Sequence, residues 1–146
     1  MNTESSNTLE ALFDQMTPEQ KLCFKQAVVQ QTIYYVTQHL PAENKDDGER
    51  NFIWAAQKWI DEPTSENAAF ANNMVTLDLI DGGARNRDYP SYFLTPADAA
   101  GANDAIAATS YALEAAGNRT EIARQWQIAA AEAILQVQAL PELDHA

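Results

Sequence analysis

Apolar residues recur along this chain at intervals of three and four, and helix start and stop signals fill the gaps between the runs. Leu22, Val29, Ile33, Val36 and Leu40 fall on one helical stripe. Just ahead of it, Thr17-Pro18-Glu19-Gln20 offers a capping hydroxyl, a proline for the first helical position and a glutamine three residues after the cap. Together these satisfy open amide donors and start a helix. The pattern predicts a helix from Pro18 to Leu40, stopped by Pro41. A shorter stripe, Leu9, Leu12, Phe13 and Met16, precedes it, with Thr8 as its cap. After a polar loop, Phe52, Ile53, Ala56, Trp59 and Ile60 mark the next helix, which Pro63 ends. Thr64 or Ser65 then caps a helix whose inward residues are Phe70, Met74, Leu77 and Ile80, terminated by Asp81-Gly82-Gly83.

Residues 82–94, GGARNRDYPSYFL, follow neither the helical nor the strand period and read as the longest irregular stretch. Thr95-Pro96-Ala97-Asp98 repeats the start signal and predicts one alanine-dense helix running to Ala116 and closing at Gly117. Ala105, Ala108, Ala112, Ala115 and Ala116 let helix axes approach closely, so tight packing is expected there. Asn118 and Glu121 frame the last helix, with Ile122, Trp126, Ala130, Ala133, Ile134 and Val137 inward and Pro141 as the stop. The expected fold is all-α: a single compact bundle of five to six mostly antiparallel helices. One domain covers residues 1–146, with 1–7 and 141–146 as flexible ends.

Charge changes the picture. The 146 residues hold 21 acids against 9 bases, a net charge of −12 at pH 7. A field of that sign repels phosphate backbones and anionic membranes, which argues against nucleic-acid and membrane partners. It suits a basic protein partner, and it also serves solubility. The N-terminus, MNTESSNTLEALFDQM, lacks a basic region followed by an apolar run, so a cytoplasmic location is expected. The single cysteine, Cys23, sits two turns into an amphipathic helix and reads as a partly buried small hydrophobe.

Catalytic chemistry finds little support. Of the two histidines, His39 closes the first long helix, where it suits the dipole, and His145 lies next to the last residue. Glu142 and His145 form a lone Glu-x-x-His spacing after the Pro141 stop, where a carboxylate-bridged metal site takes two such pairs from facing helices, and His-Glu-x-x-His does not occur. In the acidic loop 43–49, placing Gly48 at the sixth position of a calcium loop puts Lys45 and Trp54 where oxygen ligands belong. Phosphate-cradling glycine motifs are missing. The chain therefore reads as non-enzymatic, with no catalytic, cofactor-binding or metal-binding residue. A carboxylate-only enzyme would need paired acids in a deep cleft.

Aromatic residues sort by their faces. Trp59 and Trp126 lie on apolar stripes and read as core, whereas Trp54 points about a third of a turn away, toward a second interface or partial exposure. Tyr34 and Tyr35 are adjacent, so at least one leaves the main stripe. The 82–94 segment mixes arginine with tyrosine, residue types that interfaces concentrate. The bland alternative is a loop folded over the bundle, with Tyr89 and Phe93 buried beneath Pro90. The candidate partner-binding set is Asp78, Asp81, Arg85, Arg87, Asp88, Tyr89 and Tyr92, with Asp46, Asp47 and Glu49 second.

Three segments carry a family likeness. Asp46-Asp47-Gly48-Glu49-Arg50 with Ala55-Ala56-Gln57-Lys58-Trp59-Ile60-Asp61-Glu62 is the first, Ala105 to Ala116 (AIAATSYALEAA) the second, and Arg124-Gln125-Trp126-Gln127 the third. Together they resemble the small alanine-rich helical immunity-protein family of bacterial polymorphic toxin systems. The family's central-helix histidines are absent here, and Glu62-Pro63 replaces its Gly-Glu. The resemblance implies a cytoplasmic protein that binds and neutralises a cognate toxin. Two other classes stay open: a structural or self-associating protein that forms a homodimer through the Trp54 face or the loop, and a phage-type acidic inhibitor that mimics nucleic acid with rows of carboxylates.

Overall fold

A computed structural model describes residues 3–39, 47–80 and 94–143, with side chains described for 7–38, 52–76 and 94–143. All regular structure among these residues is helical: α1 (Thr3–Asp14), α2 (Pro18–His39), α3 (Asp47–Asp61), α4 (Ser65–Ile80), α5 (Thr95–Ala100), α6 (Ala105–Ala116) and α7 (Thr120–Leu135). A single 3₁₀ turn, Gly117–Arg119, joins the last two. The expected all-α bundle is the fold. None of these helices is long and apolar enough to cross a membrane.

Several boundaries follow from local chemistry. At the start of α2, the Gln20 amide donates to Thr17 Oγ1 at 3.1 Å and the Thr17 amide donates to Gln20 Oε1 at 3.0 Å, the reciprocal box expected from the sequence. Thr64 caps α4 by accepting the Asn67 amide. Gly117 closes α6 at φ 63, a left-handed backbone that favours glycine. Thr8 does not cap α1, because that helix already begins at Thr3.

The alanine-dense helix expected from Thr95 to Ala116 is two helices. Chain direction changes at Gly101–Asp104, and Asp104 starts α6 by accepting the Ala107 amide at 2.8 Å. Thr95 is a buried first residue of α5 and not its cap; Leu94 holds that position. The turn stays closed because its carbonyls find donors on other helices. Lys25 Nζ donates to Ala100 O at 2.9 Å and Ala102 O at 2.7 Å, and Asn72 Nδ2 donates to Gly101 O at 3.1 Å. Asn72 lies close over Gly101: a Cβ there would lie 2.1 Å from Asn72 Oδ1, so a larger residue would displace the Asn72 side chain.

The central element is α2. It packs against α3, α5, α6 and α7, and its buried residues, from Phe24 and Val28 to Tyr35 and Val36, go round most of the helix. A helix enclosed on that many sides loses a one-sided apolar stripe. Of the expected stripe, Val29, Ile33 and Val36 are buried, while Leu22 is 39% exposed and Leu40 lies outside the described residues. Cys23, beside Leu22, is exposed and not partly buried, because Phe24 and Lys25 take the inward directions at this turn. Against α2 lies α6, whose five expected packing alanines are all buried. Trp59 is core, as expected, and Trp126 is half-buried with its indole N–H donating to Pro141 O at 3.1 Å.

The inward face of α7 differs from the expected one. Ile122 is 53% exposed and Val137 lies beyond the helix at 88%, whereas Ala123, Arg124, Gln127, Ala130 and Ala131 are buried. Ala130 and Ala133 are inward as expected. A polar network explains the rotation. Gln127 Nε2 donates to Gln31 Oε1 at 3.0 Å, Gln31 Nε2 donates to Ala123 O at 3.0 Å, and Arg124 Nη1 donates to Gln127 Oε1 at 3.1 Å. The helix ends at Leu135 and not at Pro141.

Candidate functional site

Most of the sequence-predicted contact set, namely Asp46, Asp81, Arg85, Arg87, Asp88, Tyr89 and Tyr92, lies outside the described residues. Asp47 and Glu49 sit in the first turn of α3 and Asp78 in the last turn of α4, placed by their backbone alone. Three residues, Glu62–Thr64, join α3 to α4, and the two helices pack on one another, so they form an antiparallel hairpin. That topology brings Asp47, Glu49 and Asp78 to the same open end of the hairpin.

Midway along this hairpin is an aromatic step. Trp54, 54% exposed, meets Phe70 edge-to-face with ring centroids 5.5 Å apart, and Lys58 Nζ lies 5.7 Å from the Trp54 ring. The sequence predicted partial exposure for Trp54 and did not pair it with Phe70. An exposed indole braced by a second ring loses little freedom when a partner covers it.

Charge is segregated by depth. Every described acidic side chain except Asp98 is exposed. All five described basic side chains, Lys21, Lys25, Lys58, Arg119 and Arg124, are buried or half-buried. Lys25 Nζ stands 4.3 Å from the Trp59 ring centre and holds two carbonyls, and burial lowers its pKa despite the opposing charge of Asp104. Burial also lowers the pKa of Arg124, against the charges of Glu10 and Glu121, and its buried Nε has no hydrogen-bond partner. The outside of the described molecule is therefore more acidic than the composition alone implies.

A cleft of about 520 Å³ opens where α1, α2, α3, α4 and the α5–α6 turn meet. Lys25 and Trp59 lie on its inner side, Phe13 and Lys21 on another wall, and Thr64 and Asp104 at helix starts. Among the described residues no group of three or more histidine, cysteine, aspartate or glutamate side chains is placed to hold a metal ion. No protein-family model, curated protein or solved structure matches this chain.

Proposed function

We propose that this chain is a non-catalytic acidic protein-binding domain that captures a basic partner protein, as an immunity-type inhibitor neutralising a cognate toxin in the bacterial cytoplasm. The observation that carries the reading is the segregation of charge. Acids occupy the described surface, while four of the five described bases, Lys21, Lys25, Lys58 and Arg124, are drawn onto rings, carbonyls or an interior amide. Such a surface raises the encounter rate with a basic protein through its long-range field. Short-range affinity then comes from the Trp54–Phe70 step on the α3–α4 hairpin, whose open end carries Asp47, Glu49 and Asp78. The immunity role itself rests on the family resemblance of the sequence.

The test uses the protein encoded beside this chain's gene as the partner, with association followed by stopped-flow fluorescence across ionic strength. The expected result is an association rate that falls by about tenfold or more from low to high salt. Trp54→Ala should raise the dissociation rate by about thirtyfold and leave the salt slope unchanged. An association rate indifferent to salt would defeat the steering argument, and no binding at all would defeat the choice of partner.

The Trp54–Phe70 step also favours a second reading, self-association through that face. Light scattering over a range of concentrations separates the two. A strict monomer leaves the homodimer empty.

A further inference from the structure

We propose that the cleft between Lys25, Trp59 and the starts of α4 and α6 binds a small monocarboxylic acid with an apolar body. Its volume, about 520 Å³, lies within the range of small-molecule sites. Five structural elements contribute to its walls, and it is open to solvent. Phe13, Leu22, Trp59 and Ala68 supply the apolar surface. Leu22, exposed at 39%, is among the few large apolar residues the described surface leaves open, and it lines this cleft.

The charged groups at the cleft select the sign and size of the ligand's charge. Two of the five described bases, Lys21 and Lys25, line it, with Asp104 as the one acid. Asp104 Oδ1 already accepts the Ala107 amide, and its charge faces Lys25. Lys21 Nζ lies 4.8 Å from the Phe13 ring centre and has no hydrogen bond or ion pair among the described residues. One positive charge is left over, which matches a monoanion and not a phosphate dianion.

Two helix starts border the same space. Thr64 and Ser65 at the start of α4 line the cleft, as do Asp104 and Ala105 at the start of α6. Each cap satisfies one first-turn amide, Asn67 or Ala107, and helix geometry leaves the amides just before these without an intrahelical acceptor. Two helix starts and the Lys21 ammonium, which no carboxylate pairs among the described residues, thus line the same cleft. The carboxylate sits against Lys21 and these amides, and the apolar body lies toward Phe13 and Trp59.

The site differs from the partner face and does not depend on it. Titration with 4-phenylbutyrate, followed by two-dimensional NMR of the full chain, tests it. Trp54 and Trp126 serve as internal controls for the Trp59 indole. Saturable shifts are expected at Trp59 and at the amides of Ser65 and Ala105, with the neutral 4-phenylbutanol about tenfold weaker. Lys21→Gln should weaken phenylbutyrate binding by about fivefold or more, as expected for loss of a charge-assisted contact. Ala69→Phe, which fills the mouth from an exposed position, should abolish the binding. Each of three results would overturn the proposal: no saturable shift up to millimolar probe, equal binding of the alcohol, or unchanged binding to a folded Ala69→Phe variant. Inorganic phosphate shifting the same amides as strongly as phenylbutyrate would overturn the monocarboxylate assignment.

Discussion

Gln127 of α7 donates its side-chain amide to Gln31 Oε1 of α2 at 3.0 Å, in a place where neither residue has any exposed surface. The pair is the middle of a chain of contacts. Gln31 Nε2 donates to Ala123 O on one side, and Arg124 Nη1 donates to Gln127 Oε1 on the other. In a buried polar seam of this kind, removing one member orphans the groups it paired.

Replacing Gln127 by leucine should therefore cost about 3 kcal/mol, because Arg124 then stays buried with its accepting partner gone. The triple variant Gln31→Leu, Arg124→Met, Gln127→Leu should lose less than the single one, since no orphaned polar group remains. Urea unfolding of the two variants checks this. A triple variant less stable than Gln127→Leu would mean that the seam itself, and not the orphaning, carries the energy.

A second test concerns the α5–α6 turn. Gly101→Ala pushes a methyl group against Asn72 and removes the Asn72 Nδ2 bond to Gly101 O, with an expected cost of about 1 kcal/mol. The backbone at Gly101, φ −84, suits alanine, so in an Asn72→Ala background the same change should be neutral or slightly stabilising. Thermal melts of the four proteins in this cycle give the coupling directly.

The α5–α6 break also shows where sequence pattern stops being informative. The box at Thr17–Gln20 is legible because both halves of it lie within four residues. Gly101–Asp104 carries no proline and sits between alanines that suit one long helix as well as two. What ends α5 there is Lys25 and Asn72, which reach the released carbonyls from other helices. The inward face of α7 was hidden for a related reason. Hydrophobicity favours Ile122 and Trp126, but Arg124 and Gln127 go inward because Gln31 waits across the gap. A pairwise match between distant polar residues leaves no trace in local periodicity.

The candidate site divides the same way. The net charge and the outward turn of Trp54 could be read directly from the chain. That Lys21 and Lys25 lie inward could not, since their partners come from other elements: Phe13 for Lys21, Ala100 and Ala102 for Lys25. The cleft beside Lys25 is likewise a product of five elements meeting.

The end of α7 supplies a stability prediction that touches no contact. Gln138 N donates to Ala133 O at 2.8 Å and Val137 N to Ile134 O at 3.2 Å, the two bonds of a Schellman closure. Its left-handed position is held by Val137 at φ 55, a β-branched residue where glycine is favoured. Val137 is 88% exposed, so replacing it removes no packing. Val137→Gly should stabilise the protein by about 1 kcal/mol, the strain relieved exceeding the added freedom of the unfolded chain. Denaturant midpoints measure it, and a loss of stability would show that the valine is not strained.

Asp98 makes stability depend on pH in a direction opposite to that of most carboxylates. It is half-buried on α5, and burial, helped by the charge of Glu114, pushes its carboxyl from the ordinary 3.8 up to about 6. The phenol of nearby Tyr111 is raised as well, by burial first and then by Asp98 and Glu114. With the folded pKa above the unfolded one, the folded state binds more protons between these two values. The stabilisation from protonated Asp98 is thus fully present below pH 3.8, declines as pH rises, and is lost above about 6. Asp98→Asn removes this dependence while keeping the shape of the side chain. The variant should gain about 1 kcal/mol over the parent at pH 7, a figure reduced for solvent screening of a half-exposed group, and the gain should vanish near pH 4. The quantity to measure is the difference between the two proteins across that range, because their other carboxylates contribute equally and cancel. A difference that stays constant from pH 4 to 7 would mean that Asp98 ionises in the folded state as it does in water.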